Sequence, residues 1–179
     1  MSTVLWLLTA QGVIGAFDTL YYHEYRARLV ALPAARTELA LHAGRDFIYA
    51  LIFTTLPFYA WKGALALLLF AMVTAEIGIT IADFIVEDTA RKERGGVYAG
   101  ERASHTLMAL VYGAALAYWL PEVWGWFHAE TALVYAPPAV PEPLRVVMLL
   151  MAGGVFTSGV RDLLAVLKVP RSAWPWART

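Results

Sequence analysis

The chain has 179 residues, 60% of them hydrophobic and 16% charged, and its fourteen basic residues balance fourteen acidic ones. That is far more apolar than a soluble domain and describes a chain solvated by lipid. Zero net charge removes the basic field that nucleic acid binding calls for, and the absence of cysteine excludes disulfides, thiolate ligands and a cysteine nucleophile.

From the amino terminus, Met1 to Ala16 is apolar but has neither a positive leader nor a small-residue cleavage pattern, so it reads as a retained first span rather than a signal peptide. Hydropathy then gives five spans in a single transmembrane domain: about 3–22, 46–61, 63–85, 104–127 and 144–167. All are expected to be α-helical, because open sheet leaves backbone amides unpaired in hydrocarbon. The second apolar run is short, yet the stretch before it, from Ala34, has no internal breaker, which predicts one long helix rising out of the membrane. Loops 23–45 and 86–103 carry most of the basic residues. With the amino terminus outside and the carboxyl terminus cytoplasmic, eleven basic residues lie inside and only Lys62 and Arg145 outside.

The outer connection, about 128–143, is rich in proline and is expected to be an extended strap. Trp61, Trp119, Trp124, Trp126, Trp174 and Trp176 fall where interfacial anchors are expected. In the last span, Gly154 with Ser158 and Gly153 with Thr157 are small-xxx-small pairs suited to close helix packing.

Polar residues gather at the inner ends of these spans. Glu76, Thr80, Asp83 and Glu87 lie at offsets of four, three and four, on one face of the third helix. His42 with Asp46, and Glu101 with His105, have the i,i+4 spacing that stacks two ligands on one face. The first span contributes Asp18, followed by His23 and Glu24. Carboxylates mixed with imidazoles suit iron, manganese or zinc, whereas an all-oxygen set would suit calcium or magnesium. Asp18, His23, His42, Asp83, Glu101 and His105 are therefore the candidate metal ligands. Asp46 and Glu87 are candidate catalytic or ligand-orienting groups, and Tyr49 and Tyr112, each seven residues beyond a histidine, are candidate proton donors or channel walls. Intramembrane Glu76, Arg161 and Asp162 must be neutral, paired or turned inward, with Arg161 or Asp162 a candidate partner of Glu76. Glu24, Asp88 and Glu93 read as solvated interface charges.

No family pattern is complete. The ferritin-like signature pairs Glu with His three residues apart, not four. The histidine-rich boxes of membrane fatty-acid desaturases and hydroxylases need more than the four histidines present. The CDP-alcohol phosphotransferase pattern is echoed by Asp83, Ala90-Arg91 and Gly100 but fails at Val86, Glu87, Ser104 and Met108. The chemistry read from the residues alone is that of a membrane metalloenzyme with a mono- or dinuclear centre, open to the cytoplasm. Iron, dinuclear in one form, would hydroxylate or desaturate a lipid-like or isoprenoid substrate and would call for an electron-donor protein; zinc would hydrolyse, and manganese is a further alternative. A proton- or metal-coupled transporter or a membrane-complex subunit, including a homo-oligomer, is the competing expectation, built on the Glu76, Asp83, Glu87 ladder.

Overall fold

A computed structural model describes residues 1–172 and, of Glu93, the backbone alone. The chain is mostly helical. In order it forms α1 (Ser2–Phe17), a π-helical segment (Asp18–Ala27), two short turns, α2 (Arg36–Thr55), β1 (Tyr59–Lys62), α3 (Ala64–Ala90), α4 (Ala99–Phe127), β2 (Ala132–Tyr135) and α5 (Glu142–Val166). The anchors expected at Trp174 and Trp176, and the side chain of Glu93, expected to be a solvated interface charge, lie outside what the structure describes.

Among the described residues, four helices are long and apolar enough to cross a membrane: 2–31 with the π-helical segment included, 64–90, 99–127 and 142–166. Their outer faces carry Trp6, Val13, Leu67, Phe70, Ile85, Leu110 and Leu150, all exposed, a surface suited to lipid. The 27 residues of α3 reach about 40 Å, so both of its ends emerge from a hydrocarbon core about 30 Å thick. Helix α2 begins ten residues before the apolar run, the early start expected from its unbroken helix formers. It stops at Thr55, short of the expected end of that span; Leu56 still has helical geometry and bonds back to the Ile52 carbonyl, but Pro57 has no backbone N–H with which to continue the ladder. It carries Arg36, Glu38, Arg45 and Asp46, and is covered mainly by α5 on one side and α3 on another, while α1 packs on α4.

At the apolar end, β1 and β2 form a two-stranded antiparallel ribbon with Tyr59 opposite Tyr135 and Lys62 opposite Ala132. The expected strap is thus partly a strand. Gly63, at φ +58°, makes the turn from β1 into α3, and a Cβ there would collide with Thr131. Only glycine tolerates both the backbone angle and the approach. In return, Thr131 Oγ1 accepts a hydrogen bond from Ala64 N at 3.0 Å, capping α3 from a distant loop.

The apolar core runs through Leu5, Leu8, Ile52, Phe53, Leu56, Leu69, Trp119 and Met148. Two anchor expectations change here. Trp61 and Trp119 are buried in this core, whereas Trp124 is exposed. The small-residue expectation changes too, since Gly153 and Gly154 have open space beside them, and the close approach falls at Gly159, where a Cβ would stand 3.0 Å from Asp46 Cβ and 3.4 Å from the Ala43 carbonyl oxygen.

Candidate metal centre

Five segments deliver polar side chains to one buried region at the other end of the bundle. The first is the π-helical segment. In an α-helix Asp18 and His23 would point about 140° apart. A π-helix closes each hydrogen-bonded ring one residue later, so residues five apart come to lie on the same side. On α4, Glu101 and His105 share a face one turn apart, as do Glu38 and His42 on α2; on α3, Asp83 and Glu87 do the same, and Arg91 follows one turn on. Helix α5 adds Arg161 and Asp162.

Asp18, His23, Glu101 and His105 are all buried, and each offers a ligand atom within 4.8 Å of the others'. His23 Nε2 lies 3.0 Å from Glu101 Oε1 and 3.2 Å from Asp18 Oδ2, and His105 Nε2 lies 3.2 Å from the same Asp18 oxygen. Donor atoms about 2.1 Å from one ion stand roughly 3.0–3.4 Å apart at octahedral to tetrahedral angles, so these spacings fit a shared ion. The hydrogen bonding fits as well. His23 Nε2 is buried and aligned to bond neither carboxylate, and Asp18 Oδ1 and Glu101 Oε2 lack partners. Unsatisfied buried polar atoms are costly; an ion at this position would satisfy His23 Nε2, and the two orphaned oxygens as well if both carboxylates bound it through both of their oxygens.

A second group, Glu38, His42 and Asp83, meets the same 4.8 Å limit. His42 Nε2 is 3.1 Å from Asp83 Oδ2, and the His42 ring stacks on His23 with centroids 4.8 Å apart, joining the two groups. Here the carboxylates already have cations. Arg45 Nη1 donates to Asp83 Oδ2 at 3.2 Å. Arg91 donates from Nε to Glu38 Oε1 at 3.1 Å, pairs with Glu38 through Nη2 as well, and reaches Glu101 through Nη1. Burial works against the Arg91 charge, but Glu38 and Glu101 outweigh it and hold its pKa above the ordinary arginine value.

Seven carboxylates, on Asp18, Glu24, Glu38, Asp83, Glu87, Glu101 and Asp162, are buried here, against the buried guanidiniums of Arg91 and Arg161 and the part-buried Arg45. With all seven ionised, negative charge would exceed positive by one even with all three imidazoles protonated. So many buried charges need further cations or protons, and a bound divalent metal would supply the former.

The remaining expected site residues fall elsewhere. Glu87 flanks the centre, with Oε1 3.6 Å from His105 Nδ1. Asp46, part-buried, lines a small hollow with His23, Glu24, His42, Arg45 and Arg161. Tyr49 and Tyr112 are one layer deeper and outside the ligand set: Tyr49 donates to Glu76 Oε1 at 3.0 Å, accepts from Gln11 Nε2 at 2.7 Å, and stacks edgewise near Tyr112. Thr80 also donates to Glu76, at 2.9 Å.

Glu76 thus draws on Tyr49 and Thr80. Arg161 and Asp162 instead meet each other at 2.9 Å, and Arg161 pairs with Glu24. Glu24 is buried, against its expected solvation, while Asp88 is exposed as expected. Sequence reasoning missed Glu38 and misplaced Arg91 in a basic loop. The available signals were the i,i+4 spacing of Glu38 to His42 and of Glu87 to Arg91.

Four membrane-length helices and a buried histidine–carboxylate interior define an integral membrane protein able to hold a metal ion. No protein-family model, curated protein or solved structure matches the chain. Its function is therefore read from the centre itself.

Proposed function

We propose that the chain is an integral-membrane, metal-dependent oxidoreductase that hydroxylates or desaturates a lipid-like or isoprenoid substrate at the cytoplasmic end of a five-span bundle. The observation that carries this reading is the convergence of His23, His105, Asp18 and Glu101 around atoms left without hydrogen bonds. Two histidines with two carboxylates form a donor set that suits ferrous iron in oxygen chemistry. A metal ion held there would supply oxygen activation if iron, or a water nucleophile if zinc.

The surrounding residues have separable tasks. Glu87 lies beside His105 Nδ1 and helps fix the ring's orientation. Phe84 stacks on His105 with centroids 5.0 Å apart and is itself exposed on the outer surface of α3. It puts apolar surface next to the ligands, which favours a substrate arriving sideways from the bilayer. The transporter reading has less support, because beyond Gln11, Tyr49 and Glu76 the interior becomes Leu5, Leu8, Phe53, Leu69 and Trp119. A cation leaving the centre in that direction meets no ligand.

The test is elemental mass spectrometry of protein purified in mild detergent after metal-replete expression, beside His23→Ala and His105→Ala. Each substitution is expected to lower the metal content at least tenfold while the protein remains folded. Oxygen uptake by the iron-loaded protein with a membrane lipid extract then separates redox from hydrolytic chemistry. Metal content that survives both substitutions would remove the proposal.

A further inference from the structure

Resting on that reading, we infer that the centre holds a single metal ion, bound by Asp18, His23, Glu101 and His105, and that the Arg91 guanidinium is the built-in occupant of a second cation position. Two ligand groups lie side by side through the stacked His23 and His42 rings, as in a dinuclear site. They differ in how their charge is met. In the second group both carboxylates already have a guanidinium, Asp83 from Arg45 and Glu38 from Arg91. In the first, Arg91 also reaches Glu101, but Asp18 faces only imidazoles, His23 and His105.

Arg91 is well built for the position. It is 1% exposed, and it lies just past the carboxyl end of α3 with its side chain turned into the bundle. There it spans Glu38 on α2 and Glu101 on α4, with Glu87 Oε2 at 4.0 Å from Nη2. A fixed monovalent cation among three carboxylates does what a second metal would do for their charge, and it does so irrespective of metal supply. Its planar fork also links the two ligand groups through Glu101, whose Oε1 faces both Arg91 and His23. A second divalent ion beside it would meet both the guanidinium charge and carboxylates already engaged.

The inference gives a count. Wild-type protein, loaded separately with ferrous iron, manganese(II) or zinc and washed free of excess, is expected to retain one metal per chain by elemental mass spectrometry. Arg91→Met frees Glu38 to join His42 and Asp83, so that variant is expected to retain two. Glu38→Gln is expected to retain one, because Glu38 serves Arg91 and not the resident ion. Two metals in the wild type, one in folded Arg91→Met, or metal lost from Glu38→Gln would each overturn the inference. If Arg91→Met fails to fold, the wild-type and Glu38→Gln counts decide alone. No metal in the wild type would instead overturn the metalloenzyme reading beneath it, so the two failures are distinguishable.

Discussion

Removing one guanidinium from a buried ionic network costs more than the pair is worth, because its carboxylates are left charged and desolvated. Arg161 is the sharpest case: it pairs with Glu24 and Asp162, and all three are buried. Arg161→Met should therefore destabilise the folded protein by about 3 kcal/mol, seen as a lower unfolding midpoint in detergent. Adding Glu24→Gln to that variant should recover part of the loss, since a neutral amide is easier to leave in the interior. A double variant no more stable than Arg161→Met alone would show that Glu24 is not the partner that matters. At this scale the sequence was legible wherever ligands shared a regular helix face. Glu101 with His105 sits four apart on an α-helix, and both side chains reach the centre. It was less legible for Glu24, Glu38 and Arg91, whose partners lie on other helices and whose charges read as interfacial when each helix is considered alone.

Elements bring these side chains together, and two local features decide how. The π-helical segment Asp18–Ala27 turns Asp18 and His23 toward the same centre, which no α-helical periodicity would have shown. The other is the close approach of α2 and α5 at Gly159. A Cβ there meets Asp46 Cβ at 3.0 Å, Phe47 Cε1 at 3.3 Å and the Ala43 carbonyl oxygen at 3.4 Å. The carbonyl is part of the helix backbone, so relief requires the helices to separate. Gly159→Val is expected to cost about 1–3 kcal/mol by overpacking, and it should also disturb the hollow that Asp46 and Ser158 line. Gly153→Val and Gly154→Val have nothing within 4 Å to strike and should stay within about 0.5 kcal/mol of the parent. Thermal midpoints in one detergent compare all three. Equal losses would mean that glycine matters here for helix flexibility and not for packing. The small-residue motif was visible in sequence, but which member faced a neighbour depended on the rotation of α5, and that is set by Arg161 and Asp162 turning inward.

Across the whole molecule, polarity is one-sided: the ribbon and the aromatic core occupy one end and the ionic centre the other. Nineteen helical steps separate Ala64 from Asp83, about 29 Å, close to a full hydrocarbon thickness. The centre therefore belongs near one interface and not at mid-membrane. Which interface follows from charge. Buried Arg91 and part-buried Arg45 are engaged by carboxylates, so they contribute little to the loop charge that orients insertion. Even without them, eight basic residues among the described ones flank the centre's end, against Lys62 and Arg145 at the other, and the centre should face the cytoplasm. The chain has no cysteine, so a single introduced thiol reports its own side without background. Lys92 and Glu130 are exposed in connections at opposite ends. Glu130→Cys is expected to react with a membrane-impermeant maleimide on intact cells, and Lys92→Cys only after the membrane is opened. The reverse pattern would place the centre on the outer face and leave its metal to be supplied from there. Labelling of both on intact cells would mean that the two connections share a side, which an odd number of crossings between them does not allow.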